Sequence, residues 1–164
     1  MPVDLDRFRS IAASFPTGVT VVTAVGEDGE PRGLASNAFA SVSASPPLVL
    51  VCVDKGSRTL AAIQRAGAFV VNFLSSDAEA VARKFASKDA DKFAGVAWRP
   101  SARAGGAPIL TERTVAHAEC LVEQAIEAGD HWIFIGRVED GTAPDGRPLL
   151  YFKRRYGAPP PELA

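Results

Sequence analysis

Few side chains in this sequence could carry a reaction unaided, and the best candidates suit the binding of a flat, phosphate-tailed molecule. Gly56-Ser57-Arg58-Thr59 precedes a short helical pattern. A helix start with open N–H groups, two hydroxyls and one guanidinium suits a single phosphate, and a surface helix cap is the plainer reading of the same residues. That turn closes the strand leading out of Ala35-Ser36-Asn37-Ala38. Small side chains there leave backbone N–H and C=O groups open to a planar ligand, where an ordinary core strand would place bulk. One ligand with a flat head and a phosphate tail could touch both segments. His131, in Gly129-Asp130-His131-Trp132, sits at a strand mouth, where a histidine either contacts a ligand or closes a hairpin. Arg154, Arg155 and Tyr156 end the last strand, and a solvated edge and a pocket contact are equally good readings of them.

Other chemistries lack their residues. The chain has no G-x-S-x-G, H-E-x-x-H or C-x-x-C, and Gly26, Gly29 and Gly33 straddle a hairpin turn, so no dinucleotide fingerprint precedes a helix. Such a protein either binds without reacting or takes its chemistry from a cofactor. His117 and Glu119 share one face of a strand and Cys120 the other, which favours a cross-strand polar pair; no metal is assigned. Cys52 and Cys120 lie in apolar strand-like runs and read as buried reduced thiols. Residues 83–88 suit an exposed helix end, with only Phe85 reaching inward.

The length of 164 residues supports one domain with a full core. A 47% hydrophobic and 23% charged composition is that of a soluble globular protein, and a net charge of −1 offers no basic field for nucleic acid. Asp4 and Asp6 stand where a signal peptide needs a basic and then an apolar run, and the longest apolar run, 48–53, is too short to cross a bilayer. No membrane association and a cytoplasmic location are expected.

The elements that must position the candidates follow from periodicity. Leu5, Phe8, Ile11, Ala12 and Phe15 share one helical face, which should lie against a sheet, and Pro16 ends the helix. Residues 19–25 and 33–35 form a hairpin about Asp28-Gly29. Ser41 and Ser43 alternate with apolar residues, Pro46-Pro47 halts the chain, and the run LVLVCV at 48–53 predicts a strand covered on both faces. Residues 60–67 form a helix capped at both ends, 68–74 a strand, and Ser76-Asp77-Ala78-Glu79 a capping box for a helix with Val81, Ala82 and Phe85 inward. Patterning fades over 86–109, and three strands follow at 115–127, 131–140 and 149–153. Many hairpin-connected strands with few helices predict a mainly β fold, a closed antiparallel barrel over residues 1–156 with a proline-rich extended tail at 157–164.

The blocks FPTGVTVVT (15–23), GLASNAFASVS (33–43), PPLVLV (46–51), GDHWIFIGRV (129–138) and LLYFKRRY (149–156), in this order, resemble the short-chain flavin reductases. These are the reductase components of two-component flavin-dependent monooxygenases. The resemblance implies an FMN-binding split barrel, a homodimer, FMN or FAD, NADH or NADPH as hydride donor, and a partner monooxygenase that receives reduced flavin. It places Ala35, Ser36, Asn37 and Ala38 beside the isoalloxazine, Ser41 and Cys52 nearby, Ser57, Arg58 and Thr59 at the phosphate, and Phe85 and Ala86 alongside. His131, with Arg154 and Tyr156, faces the nicotinamide nucleotide. Relatives often carry a Thr-Ala-Asn-Ser run where this chain has Ala35-Ser36-Asn37-Ala38, which changes the donors around the ring. The implied reaction needs the nicotinamide C4 hydride roughly 3–3.5 Å from flavin N5 and no protein acid or base; fixed donors near N1 and C2=O would stabilise the charge that develops there. A flavin-holding electron carrier that NADH does not reduce, and a split-barrel module without cofactor, are the competing functions.

Overall fold

In the computed structural model, which describes residues 1–163, Asp4 starts α1 (Leu5–Ala12) by accepting the Arg7 N–H at 2.8 Å. After the two-residue strand β1 (Thr17–Gly18), β-branched residues make β2 (Thr20–Val25), buried along all but its last residue. Gly29, at φ 79°, supplies the left-handed turn that returns the chain as β3 (Pro31–Ser36). The strands β4 (Phe39–Ala44) and β5 (Pro47–Asp54) form the next hairpin. Ser57 and left-handed Gly67 cap α2 (Arg58–Ala66), which leads to β6 (Ala68–Leu74), then α3 (Glu79–Ala86). A small hairpin of β7 (Trp98–Pro100) and β8 (Pro108–Leu110) precedes the long pair β9 (Thr114–Ala128) and β10 (His131–Thr142). The chain closes with β11 (Leu150–Phe152), β12 (Arg155–Gly157) and a 3-10 turn over Pro161–Leu163.

Seven strands form one antiparallel sheet in the order β3-β2-β6-β9-β10-β5-β4, and β1, β11 and β12 form a second, smaller one. Successive residues of β2 feed opposite faces. Val22 joins Val51, Val53, Ile63, Phe69 and Phe134 in a core plugged by α2, whereas Val21 joins Leu74, Ala82, Phe85 and Leu149 beneath α3.

The architecture is mainly β, but the barrel is split rather than closed. The edge strands β3 and β4 are consecutive in sequence and lie at opposite ends of the sheet order. Where the chain steps between them, side chains satisfy the backbone in place of a ladder: Thr20 Oγ1 donates to Ser36 O at 2.8 Å and the Ala38 N–H to Ser36 Oγ at 3.0 Å. The Cys52 N–H donates to Ala38 O at 3.2 Å, tying the step to β5.

Four local expectations change. The apolar stripe of α1 does not lie against the sheet: Leu5, Phe8 and Ile11 are 57–60% exposed and Phe15 is 73% exposed, because α2 and α3 already cover the sheet's cores. Strand β5 alternates, with Val49, Val51 and Val53 buried and Leu48, Leu50 and Cys52 half-buried, so only one of its faces meets the core. Accordingly Cys120 is a buried thiol and Cys52 a half-buried one. Ser76 does not cap α3, whose N-cap is Ala78 without a side-chain bond; the Ser76 N–H is drawn to Arg147 O at 2.8 Å and Ser75 Oγ donates to Asp77 at 2.5 Å. Finally, Arg147 donates to the carbonyl of buried Pro159, so the tail is tied back to the chain at that residue.

Candidate functional site

A cleft of about 930 Å³ opens beside β3. Its floor is β3 from Pro31 to Ala35, one wall is the turn from Asp54 to Thr59, and the other is the segment from Phe85 to Phe93. The floor is close-packed from below: a Cβ on Gly33 would stand 2.8 Å from Phe85 Cε1 and 3.3 Å from Phe93 Cζ, so glycine is required where α3 crosses β3. Phe85 and Phe93 meet edge to face with centroids 5.0 Å apart, which fixes the wall.

The turn is a helix cap, and it also lines the cleft. Ser57 Oγ accepts the Thr59 N–H at 3.2 Å, as a cap does, while Ser57, Arg58 and Thr59 line the cleft. The guanidinium of Arg58 reaches across to Asp89 O at 2.9 Å and Ala90 O at 3.3 Å and so fastens the far wall. From that wall Lys92 donates to Phe85 O at 2.8 Å and Gly33 O at 3.4 Å.

Ala35, Ser57, Arg58, Thr59, Phe85 and Ala86 therefore share one cleft. Asn37 and Arg154 share a second cavity of about 340 Å³ with Phe8, Phe15 and Tyr151, reached from the first across Ser36. Of the planar-ligand segment, the Ser36 C=O and both backbone groups of Ala38 are engaged by Thr20, Ser36 Oγ and Cys52. Exposed Asn37 makes no hydrogen bond among the described residues, and its side-chain amide is open to a ligand, as is the hydroxyl proton of Ser36, whose Oγ only accepts.

His131 lines neither cavity, but its register partner is Asp54, the first residue of the cleft turn. Its Nδ1 lies 2.7 Å from Asp130 Oδ1, and that hydrogen bond holds the exposed Asp130 carboxyl below the ordinary carboxylate range. With Nδ1 engaged, Nε2 is the nitrogen left for another partner. Ser41 and Ala38 also line neither cavity; Ser41 lies opposite Val49 on the edge strand β4. Cys52, opposite Ile133, has its thiol pushed up by burial and is no thiolate nucleophile. The Tyr156 ring lies tilted at 51° against Tyr151, centroids 5.1 Å apart, beneath the Arg83 guanidinium, and burial pushes its phenol up.

Sequence reasoning missed Lys92 and the floor residues Pro31 and Arg32. Lys92 falls in the stretch without periodicity, and its signal is the Lys92-Phe93 pair, one member of which packs while the other enters the cleft.

Comparison with known proteins agrees with this frame. Residues 12–159 match the model of the flavin reductase like domain. A flavin reductase (NADH) from Kitasatospora aureofaciens is 48% identical over 162 residues, covering 98% of this chain and 84% of the relative. The flavin-dependent monooxygenase reductase subunit HsaB of Rhodococcus jostii is 43% identical over 94% of this chain and 77% of its own length. Among solved structures, the Streptomyces globisporus NADH:FAD oxidoreductase SgcE6, in complex with NAD and FAD fragments, superposes with a TM-score of 0.89 at 38% identity, covering 100% of this chain and 99% of that one. By sequence along nearly its whole length and by its superposition on a solved relative, the chain belongs to the flavin reductase like domain family.

Proposed function

We propose that the chain is an NAD(P)H-dependent flavin reductase that passes a hydride from a nicotinamide nucleotide to FMN or FAD and releases the reduced flavin to a partner monooxygenase. The observation that carries this is the cleft itself: a helix N-terminus with Ser57, Arg58 and Thr59 on one wall, opening at Ala35 toward the unpaired Asn37. The residues present fit a flavin. Phosphate falls to the Ser57 hydroxyl, the Arg58 N–H and guanidinium, and Thr59. The ring falls to Ala35, Ser36, Asn37 and Ala38, with Ser41 and Cys52 behind them and Phe85 and Ala86 alongside.

Bound flavin supplies a hydride acceptor, so this chain needs only to bind, orient and exclude water. The Asn37 side-chain amide, without a hydrogen bond among the described residues, would offer donors to the ring oxygens. Gly33 lets Phe85 press up beneath the floor, which keeps water from below. Asp130 fixes the His131 ring so that Nε2 can hold the nicotinamide nucleotide, with Arg154 and Tyr156 on the same side.

A homodimer accounts for one exposed apolar surface and one half-buried one. One is the α1 stripe of Leu5, Phe8 and Ile11; the other is the outer sheet face where Leu50 and Cys52 lie opposite Ile135 and Ile133. No helix among the described residues is long and apolar enough to cross a membrane, and two free cysteines suit the reducing cytoplasm in which we place the enzyme. Steady-state reduction of excess free FMN and FAD by NADH and NADPH tests the function. Turnover with at least one pair is expected; a tightly retained yellow flavin that neither nicotinamide reduces would make the chain an electron carrier instead.

A further inference from the structure

Resting on the flavin reading above, we infer that Arg83, which lines neither cavity, is a positioning residue for hydride transfer: it fastens the α3 wall of the flavin cleft to the tyrosine pair beside the second cavity. The first reason is connection. Helix α3 gives the cleft Phe85 and Ala86, while the β11-β12 hairpin gives the second cavity Tyr151 and Arg154. Among the described residues no hydrogen bond or ion pair joins that helix to that hairpin. Arg83 does join them: its Cζ lies over the Tyr156 ring, 5.1 Å from the centroid. Tyr156 is the cross-strand partner of Tyr151, and both rings pack on the core that holds Phe85. The contact therefore ends on a fixed platform and not on a free side chain.

The second reason is how the guanidinium is held. Its Nε and Nη2 donate to Glu79 Oε1, one turn back on α3, at 2.9 and 2.7 Å. That commits the edge of the planar group and leaves its face for an aromatic ring. An exposed arginine without those bonds would sample solvent; here it lies along its own helix, over Tyr156. Nor does a side chain fix the start of α3, where the N-cap Ala78 makes no side-chain bond. Residues two apart on a helix do not share a face, so Phe85 under Gly33 and Arg83 over Tyr156 restrain α3 from different sides. Hydride transfer needs the reacting atoms within about 3–3.5 Å, and a misplacement of about 1 Å can cost on the order of a hundredfold. Binding tolerates such a shift better than reaction does, so loosening the contact should slow the transfer before it weakens the flavin.

Anaerobic stopped-flow reduction of the full chain saturated with flavin and NADH, beside flavin titration, tests the assignment. Arg83→Met, which keeps the side-chain stem and loses the charge, should lower the limiting rate by about twofold to fivefold, the worth of an exposed cation–π contact, with flavin affinity changed by less than about twofold. Arg83→Lys, which keeps a cation for the ring, should restore most of the rate. Tyr156→Leu should slow the reaction too, and adding Arg83→Met to it should cost nothing further, because both variants remove the same contact. An unchanged limiting rate in Arg83→Met, a flavin affinity that falls as far as the rate, a loss that Arg83→Lys does not restore, or losses that multiply in the double variant would each overturn the inference while leaving flavin reduction intact. Should Tyr156→Leu fail to fold, the two Arg83 variants decide alone. A wild-type chain whose flavin neither NADH nor NADPH reduces would overturn this inference and the flavin reductase reading together.

Discussion

Replacing Gly33 by alanine tests whether the floor of the cleft and the second core are one structure. The added Cβ would lie 2.8 and 3.0 Å from ring atoms of Phe85, which is fully buried, and 3.3 Å from Phe93. Phe85 cannot swing away, because it packs with Leu74, Ala82 and Leu149 and is braced edge-on by Phe93. Overpacking of this kind costs about 1–3 kcal/mol. For a domain of this size each kcal/mol lowers the melting temperature by about 2–4 °C, so Gly33→Ala should melt about 2–12 °C below wild type. If α3 lifts to relieve the contact, the wall carrying Phe85 and Ala86 moves with it, and flavin affinity should fall in the same variant. Gly18→Ala is the control, since nothing lies within 4 Å of its added Cβ. Differential scanning fluorimetry and flavin titration read both effects; a Gly33→Ala chain as stable as Gly18→Ala and with wild-type flavin affinity would refute the reasoning.

His131→Ala should raise KM for NADH more than it weakens flavin binding, and equal loss of both in steady-state titrations would remove His131 from the nicotinamide role. Ile133→Asp, on the outer sheet face, should convert a dimer to a monomer by light scattering, with unchanged mass refuting that interface. Burial alone would push the Glu119 carboxyl up, but the Ser101 hydroxyl and the Arg103 N–H outweigh it and hold it below its ordinary value of 4.5. The sign follows from that lowering: the stabilisation is fully present above the ordinary value and lost as pH falls through the native one. Wild type should therefore lose melting temperature between pH 5 and acid more steeply than Glu119→Gln, and parallel curves would contradict this.

Much of the frame was legible in the sequence because period and caps agreed. The β-branched run of β2, the Asp28-Gly29 turn and the Ser57 to Gly67 caps of α2 all stand where the pattern put them. The failures share a cause, which is that pattern reports amphipathicity without saying what covers the apolar side. The α1 stripe is real but finds no cover in its own chain, and LVLVCV alternates because only one side of β5 meets the core. Ser76 matched a capping box and lost to a backbone bond with Arg147, a contact separated by too many residues for a local motif to register. Of the candidate site, the Ser57 turn and the small-residue segment were visible as local chemistry. Lys92 was not, since its meaning depends on Gly33 lying beneath it from a distant strand.

A crystal structure of the chain with FAD bound tests the central claim most directly. The account predicts the isoalloxazine against Ser36 and Asn37 and the first phosphate within hydrogen-bond reach of Ser57 and the Arg58 N–H. A ring seated elsewhere, or a phosphate far from Ser57, would contradict it.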